Sequence, residues 1–282
     1  MLPNWFILDE NLRQWLKEDI GRGDRSTDAL FDDKIPLGKA EWIAKESGII
    51  AGLPIALRAF YLLNEKVKFT SLIKEGEVCE KGQKIAEIEA PLNILLTGER
   101  TALNLTMRLS GIATMTRKYV EKIADLPTKL TDTRKTTPGL RILEKYATQI
   151  GGAINHRMGL DDAIMIKDNH IVAAGGIKNA IALIKNQIPY PLTIEVETEN
   201  LEQIKEALEH GADIIMLDNM SIELMKESVE MIRKYNEKIK IEASGNITLE
   251  RIRIVAETGV DYISSSAPIT RSTWLDISMK MK

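Results

Sequence analysis

The order of apolar and polar positions changes along the chain and divides the sequence into two parts. Up to about residue 105, a charged amphipathic segment at residues 11–19 precedes short alternating segments such as residues 40–44 and 66–73. Alternation with a period of two is typical of half-buried strands, so this part predicts a small α+β domain at residues 1–105. Residues 99–124 have the apolar spacing of a largely buried helix, which we expect to lead into a second domain.

A repeating order of strands and helices begins near residue 128. Its strand-like runs are apolar on both faces, which is typical of parallel strands covered by helices. An α/β barrel is the simplest closure of such a sheet, and we assign it to residues 106–267. The predicted strands are residues 130–133, 163–166, 192–196, 214–217, 239–243 and 261–264, and the predicted helices include residues 178–187, 200–210, 222–235 and 249–258.

Each predicted strand of this barrel ends in polar or small residues. The carboxyl ends of parallel barrel strands meet at one mouth, where such enzymes carry out their chemistry. We therefore expect one common site rather than six unrelated loops. The strand ends in question are residues 132–135, 167–170, 195–197, 217–219, 242–245 and 264–267.

Both cations and carboxylates occur at or near these strand ends. Glu197 and Asp218 follow neighbouring predicted strands and offer the oxygen ligands that Mg²⁺ prefers, so we expect them to bind Mg²⁺ together with substrate phosphates. The cationic candidates are Arg134, Lys135, His156, Arg157 and Lys167. This set predicts a substrate that carries several negative charges.

Two late loops contain small residues that suit a phosphate. Backbone N–H groups in the last loops of such barrels commonly bind one, although an ordinary tight turn is the alternative for the first of the two loops. The candidates are Ser244, Gly245 and Asn246 in one loop and Ser265, Ser266 and Ala267 in the other.

Composition limits the partners and the compartment. The chain has 282 residues, 38 Lys and Arg against 41 Asp and Glu, and a formal net charge of −3, which gives no global reason to bind nucleic acid or anionic lipid. No apolar run approaches the roughly 18 residues that a membrane span needs. Cys79 is the single cysteine, which excludes an intramolecular disulfide and favours a reducing, cytoplasmic location.

Long motifs follow one another along nearly the whole chain. They are Glu-Asp-Ile-Gly-Arg-Gly-Asp at 18–24, Glu-Arg-Thr-Ala-Leu-Asn at 99–104, Arg-Leu-Ser-Gly-Ile-Ala-Thr at 108–114, Asp-Thr-Arg-Lys-Thr-Thr-Pro-Gly at 132–139, Asn-His-Arg-Met-Gly-Leu at 155–160, Ile-Lys-Asp-Asn-His at 166–170 and Glu-Ala-Ser-Gly at 242–245. Together they resemble the quinolinate phosphoribosyltransferase family, also called nicotinate-nucleotide pyrophosphorylase (carboxylating), whose members are type II phosphoribosyltransferases. Long motifs in a fixed order are far more specific than one glycine-rich loop.

The resemblance implies a fold, an assembly and a reaction. The fold is an N-terminal α/β sandwich, to which residues 268–282 return, and an open, incomplete TIM-like α/β barrel of about seven strands. The assembly is a homodimer in which one subunit's barrel and the other's N-terminal domain share an active site, and the further assembly of dimers into a hexamer stays open. The reaction converts quinolinate and phosphoribosyl pyrophosphate to nicotinate mononucleotide, pyrophosphate and CO₂ with Mg²⁺, a step of NAD synthesis.

The resemblance also implies roles for individual residues. Arg100 matches an arginine that the partner subunit supplies, and Glu197 and Asp218 match acidic residues near the ribose hydroxyls and the metal. The two late loops match the seat of the 5′-phosphate. The residues that the resemblance assigns to binding the quinolinate carboxylates and the ribose pyrophosphate are Thr133, Arg134, Lys135, His156, Arg157 and Lys167. The residues that we expect to be catalytic are Lys135, Lys167, Glu197 and Asp218.

The last loop departs from the family pattern. Ser266 stands where the family has Gly, and Thr270 stands where it has His. Two alternatives stay open: a related type II phosphoribosyltransferase that acts on another carboxylated ring, and a non-catalytic barrel that binds phosphoribosyl ligands. The presence of both Glu197 and Asp218 favours an enzyme, because a sensor needs no metal for a leaving group.

Overall fold

The computed structural model describes residues 2–31 and 34–282. These residues form two compact units. The first contains residues up to 117 together with residues 137–152 and 271–282, and the second contains residues 118–136 and 153–270. The predicted domain ranges, 1–105 and 106–267 with a return of 268–282, stay a prediction.

Helices and strands are numbered in chain order. The helices are α1 (Trp5–Ile20), α2 (Arg25–Leu30), α3 (Leu53–Leu63), α4 (Leu92–Glu121), α5 (Arg141–Gly151), α6 (Asp168–Ala174), α7 (Ile177–Lys185), α8 (Leu201–Glu209), α9 (Ile222–Tyr235), α10 (Ile252–Ala256) and α11 (Ala267–Thr270). The strands are β1 (Leu37–Ala44), β2 (Gly48–Ile49), β3 (Lys68–Ser71), β4 (Val78–Cys79), β5 (Lys84–Pro91), β6 (Lys129–Thr131), β7 (Ile164–Ile166), β8 (Ile194–Thr198), β9 (Ile214–Asp218), β10 (Lys240–Ser244), β11 (Tyr262–Ser264) and β12 (Ile277–Met281).

A four-stranded antiparallel sheet lies in the first unit, in the order β12, β1, β5, β3. Along β1 the side chains of Ala40, Trp42 and Ala44 are buried and alternate with more exposed neighbours, because successive side chains of a strand point to opposite faces. The Trp42 ring lies 5.7 Å from that of Phe69 and 6.4 Å from that of Phe60 on α3. This sheet and its helices confirm the predicted α+β character of the first part of the chain.

The second unit contains a six-stranded parallel sheet, in the order β6, β11, β10, β9, β8, β7. A single parallel bridge joins Thr131 of β6 to Ile154. In residues 118–136 and 153–270 no ladder pairs β6 with β7, so the sheet is open. The predicted open α/β barrel is confirmed, with six strands and one bridge where about seven strands were expected.

The predicted elements of the second unit agree with the observed ones to within a few residues. The helix predicted at 222–235 is α9, with unchanged bounds. The helix predicted at 249–258 is shorter, because the Arg251 N–H donates to Thr248 Oγ1 at 3.3 Å in a turn that precedes α10. Across the described part of the chain, no helix combines the length and the apolar composition that crossing a membrane requires.

Candidate active site

The register of the parallel sheet places five inward positions in two adjacent layers. Glu197 of β8 is opposite Met216 of β9, which is opposite Glu242 of β10. Two residues further along, Asp218 of β9 is opposite Ser244 of β10. Because residues two apart on a strand face the same side, Asp218 and Ser244 lie above Met216 and Glu242, one layer closer to the carboxyl ends. The predicted residues Glu197, Asp218 and Ser244 therefore share one face of the sheet.

Lys167 and Glu197 form an ion pair at this mouth. Lys167 follows β7 directly and lies one residue beyond the Ile166–Val196 pair of the ladder, which brings it beside Glu197. Its Nζ donates to Glu197 Oε2, and its backbone N–H donates to His170 Nδ1 at 3.0 Å. The Lys167 side chain is 42% exposed and that of Glu197 is 13% exposed. The structure thus brings two predicted catalytic residues into contact, with the lysine accessible from solvent.

Asparagine side chains link Asp218 to the loop after β10. Asp218 Oδ2 accepts a hydrogen bond of 2.6 Å from Asn219 Nδ2, and Asn219 Oδ1 accepts one of 3.2 Å from Asn246 Nδ2. The Asn219 N–H donates to the Ser244 carbonyl at 3.0 Å. Asn219 and Asn246 have φ values of 53° and 51°, a left-handed conformation that asparagine adopts more readily than most residues. These contacts fix the position of Asp218 relative to the first predicted phosphate loop.

Gly245 completes that loop. Its φ of +93° is unfavourable for other residues, and a Cβ there would lie 2.9 Å from the Asn219 backbone nitrogen. Within the described residues, the backbone N–H groups of Gly245, Asn246 and Ser266 donate no hydrogen bond to a protein acceptor. Free N–H groups in the two late loops are what a phosphate seat requires.

Ser265 shapes the second late loop from inside. Its hydroxyl donates to the Ile247 carbonyl at 3.2 Å and accepts from the Ala267 N–H at 3.2 Å, and its N–H donates to the Thr131 carbonyl at 3.1 Å. The residue is 5% exposed. Ser265 and Ala267 are therefore used by the fold, and Ser266 is the member of this loop whose N–H is available.

A buried carboxylate anchors the loop after β6. Asp132 accepts from the His156 N–H at 2.9 Å and from Asn155 Nδ2 at 2.5 Å. Further along the same loop, the Lys135 N–H donates to Thr133 Oγ1 at 3.0 Å, which tightens the turn. Lys135 itself is exposed. Asp132 thereby ties the Thr-Arg-Lys motif to the His-Arg motif.

Arg157 is a half-buried cation that interacts electrostatically with Arg134. The pKa of Arg157 is lowered, mainly by burial and further by the charge of Arg134. A guanidinium remains charged at neutral pH despite such a shift. Arg157 Nη1 donates to the Ala163 carbonyl at 2.9 Å, which orients the side chain. Two neighbouring guanidinium groups form a suitable site for a carboxylate or a phosphate.

The His156 ring lies between two glutamates that were not among the predicted site residues. Its Nε2 is 3.2 Å from Glu195 Oε2 and 3.5 Å from Glu242 Oε2, while its Nδ1 accepts from the Arg157 N–H at 2.8 Å. Burial lowers the pKa of the His156 ring, and the two neighbouring carboxylates raise it. Because Nδ1 accepts the Arg157 N–H, the ring in this structure is neutral and carries its hydrogen on Nε2, which faces the two carboxylates. Burial also raises the pKa of Glu195, which suits a proton shared within this group.

Glu195, Glu242 and Asn219 lie within the predicted strand ends, but the sequence analysis assigned them no individual role. Glutamates inside otherwise apolar strands were the signal for the first two, and Glu195 lies two residues before Glu197, on the same face. Arg100 lies on α4 with a side chain that is 60% exposed, and its guanidinium is 3.6 Å from the Glu99 carboxylate. Its role toward a partner subunit stays a prediction.

Family models match both parts of the sequence. Residues 24–110 match the model described as the N-terminal domain of quinolinate phosphoribosyl transferase. Residues 112–280 match the model described as its C-terminal domain. The two matches together span most of the chain.

Full-length relatives point to the same family. The chain is 58% identical over 280 residues to a Synechocystis protein named probable nicotinate-nucleotide pyrophosphorylase (carboxylating), with 99% of this chain and 94% of that protein covered. It is 45% identical over 276 residues to a Bacillus subtilis protein of the same name, with 98% and 94% covered. Among solved structures, NadC from Streptococcus pyogenes is 42% identical with a TM-score of 0.94, and the match covers 100% of this chain and 99% of that one.

Proposed function

The chain belongs to the quinolinate phosphoribosyltransferase family, and on that premise we propose how its parallel sheet binds the substrates and carries out the reaction. The activity is the conversion of quinolinate and phosphoribosyl pyrophosphate to nicotinate mononucleotide, pyrophosphate and CO₂ in NAD synthesis. The observation that carries the proposal is the pairing of Lys167 with Glu197, one strand away from Asp218, at the carboxyl ends of the sheet.

Quinolinate binds on the side of Arg134 and Arg157. The ligand has two carboxylates on adjacent ring carbons, and a guanidinium meets a carboxylate through two parallel hydrogen bonds. The Ala163 carbonyl orients Arg157, and the charge of Arg134 contributes to the lowered pKa of Arg157, which supports a shared role of the two cations. Lys135 adds a third cation from the same loop, and Thr133 holds that loop in its turn.

Phosphoribosyl pyrophosphate binds along the late strands. The 5′-phosphate accepts hydrogen bonds from the N–H groups of Gly245, Asn246 and Ser266, which have no other acceptor among the described residues. The ribose hydroxyls then lie toward Glu197 and Asp218, which accept hydrogen bonds from them. Arg100 of a second copy contributes a further cation to this site in a homodimer.

Glu197 and Asp218 are the residues that would hold Mg²⁺. They lie on adjacent strands, face the same side and offer carboxylate oxygens, which is the ligand type that a hard cation requires. Asp218 retains Oδ1 for this purpose while Asn219 binds its Oδ2. Bound Mg²⁺ supplies charge neutralisation for the departing pyrophosphate.

The protein's own residues orient the reactants and stabilise charge. The quinolinate ring nitrogen forms a bond to the anomeric carbon while the bond from that carbon to pyrophosphate breaks, and Lys167 moves from Glu197 to the pyrophosphate oxygens as they gain charge. The ring nitrogen is then cationic. Its positive charge stabilises the electron pair that stays on the adjacent ring carbon as the carboxylate leaves as CO₂, and a proton from solvent then bonds to that carbon through this pair. The fixed arginines supply the orientation that both steps need.

A substrate panel tests this function. Purified protein is incubated with phosphoribosyl pyrophosphate, Mg²⁺ and one of quinolinate, nicotinate or another pyridine carboxylate, and pyrophosphate release is followed. We expect turnover with quinolinate. Turnover with another ring acid while quinolinate is inert would instead indicate a related phosphoribosyltransferase, and binding without any pyrophosphate release would indicate a non-catalytic barrel.

A further inference from the structure

His156, Glu195 and Glu242 form a buried polar cluster in the second unit, and we call these three residues the His156 cluster. Glu195 and Glu242 are 3% and 4% exposed, and their Oε2 atoms lie 3.2 and 3.5 Å from His156 Nε2. The two glutamates come from β8 and β10, which flank β9 in the sheet. None of the roles proposed above uses either glutamate.

The two carboxylates are costly for the fold. A buried carboxylate destabilises a protein unless its oxygens are paired. Within the described residues, Oε1 of Glu195 and Oε1 of Glu242 each lack a hydrogen-bond partner, so the pairing is incomplete. Neighbouring strand positions such as Val196 and Ala243 are apolar and fully buried. The two glutamates are therefore not present because they stabilise the fold. The feature that can account for them is their shared contact with His156.

The cluster reaches the quinolinate side through the ring of His156. While Nε2 faces the two glutamates, Nδ1 accepts the backbone N–H of Arg157 at 2.8 Å. The His156 N–H is held in turn by Asp132 at 2.9 Å. Both ring nitrogens are thus engaged by the protein, and the ring fixes the backbone from which the Arg157 side chain starts.

We propose that Glu195 and Glu242 are positioning residues for the quinolinate-binding side. They hold the His156 ring, and the ring holds the backbone of Arg157, so that the guanidinium meets the substrate carboxylate at the required angle. Neither glutamate touches substrate. The identity of the ligand rests on the proposed function, whereas the chain of contacts from Glu195 and Glu242 to Arg157 does not.

Methionine and glutamine variants of the two glutamates test the proposal. Glu195→Met and Glu242→Met keep the side-chain volume and remove the acceptor, whereas Glu195→Gln and Glu242→Gln keep an acceptor oxygen. We expect the Met variants to raise the KM for quinolinate about tenfold, with the KM for phosphoribosyl pyrophosphate within about twofold of wild type. The Gln variants should recover most of the loss. In a His156→Ala background, Glu195→Met should add no further effect, because residues that act through one contact are not additive.

Four results would overturn the proposal. They are equal rises in both KM values, Met variants indistinguishable from wild type, full additivity with His156→Ala, and a stoichiometric metal in wild-type protein that the Met variants lose. The last result would identify the cluster as a cation site, since its ligand atoms lie within 4.8 Å of one another.

A separate readout distinguishes this proposal from the proposed function. If wild-type protein has no quinolinate turnover, the proposed function fails. The ¹⁵N chemical shifts of the His156 ring and of the Arg157 backbone amide still report on the cluster in that case. Shifts that change at both residues in the Met variants support the positioning role, and shifts that stay the same contradict it.

Discussion

Lys167 donates a hydrogen bond from its Nζ to the carboxylate of Glu197, although the two residues lie 30 positions apart in the sequence. The pair holds a cation next to a carboxylate that we assign to Mg²⁺, at the end of two adjacent parallel strands. Substrates that bring both a metal and pyrophosphate can separate the two side chains and use each of them. In the free protein the two side chains therefore pair with each other. In the substrate complex the Lys167 ammonium is available to the pyrophosphate and the Glu197 carboxylate is available to Mg²⁺.

Loss of the lysine should impair turnover. We expect Lys167→Met to lower kcat/KM by about tenfold to a hundredfold, because one charge-assisted contact to the leaving group is lost. Lys226→Met is a matched control, since Lys226 is exposed on α9 away from the strand ends, and its steady-state kinetics should equal those of wild type. Unchanged kinetics in Lys167→Met would refute the role.

Arg157 should matter through its shape as well as its charge. Arg157→Ala and Lys135→Ala each remove a cation and should lower kcat/KM for quinolinate by about tenfold to a hundredfold. Arg157→Lys keeps the charge but loses the planar fork, so we expect a value between those of Arg157→Ala and wild type. If Arg157→Lys behaved as wild type, a bidentate contact would be excluded.

Substitution of Gly245 should weaken the binding of phosphoribosyl pyrophosphate, because Gly245 lies in the loop that we assign to the 5′-phosphate. Gly245→Ala adds a Cβ at φ +93° that would lie 2.9 Å from the Asn219 nitrogen, so we expect a raised KM for phosphoribosyl pyrophosphate and little change for quinolinate. Gly82→Ala is the control: its φ is +86°, and no atom lies within 4 Å of the added Cβ. We expect Gly82→Ala to lose some stability from its left-handed backbone alone and to show no change in KM. Equal KM effects in both variants would argue against the phosphate seat.

Glu144 should be important for stability in the first unit. Its carboxylate is fully buried, accepts from Arg108 Nη2 at 2.8 Å and accepts from the Thr137 N–H at 2.8 Å. Glu144→Gln leaves the arginine without its counter-charge, and we expect a loss of about 3 to 5 kcal/mol in the free energy of unfolding. Glu257→Gln breaks the exposed ion pair with Arg253 and should change the denaturation midpoint far less. Similar midpoints for the two variants would contradict this account.

Hybrid dimers test the contribution of Arg100. If a second copy supplies Arg100, then mixing Arg100→Ala with Lys167→Met should restore part of the activity, because some sites then contain both wild-type residues. Subunit exchange is verified separately by mass spectrometry of differently tagged copies. An absence of recovery despite exchange would place Arg100 outside the shared site.

Periodicity was sufficient to predict most of the second unit. The strand predicted at 214–217 differs from β9 by one residue at its carboxyl end, and the strand predicted at 239–243 differs from β10 by one residue at each end. Both runs are rich in apolar residues and are bounded by polar ones. The amphipathic pattern of α9 fixed both of its bounds. The pattern of apolar residues indicates which positions are buried. In a sheet that helices cover on both sides, this burial can be read from the local sequence alone.

The sequence pattern could not predict which side chains on different strands contact one another. The neighbourhood of Lys167 and Glu197 depends on the register of β7 and β8, and the His156 cluster depends on the order β8, β9, β10. The left-handed conformation of Asn219 likewise depends on its contacts with Ser244 and Asn246. Strand order and register arise from the packing of the whole sheet, and a list of strand ends cannot specify them.

The most direct test of the central claim uses quinolinate with an isotopic label in the carboxylate that leaves. Labelled CO₂ and nicotinate mononucleotide are measured together, in protein supplied with phosphoribosyl pyrophosphate and Mg²⁺. We predict that the two products form in equal amounts and that Arg157→Ala slows both by the same factor. Mononucleotide without labelled CO₂, or formation of both products at the wild-type rate in Arg157→Ala, would contradict the claim that the strand-end cations hold quinolinate for transfer.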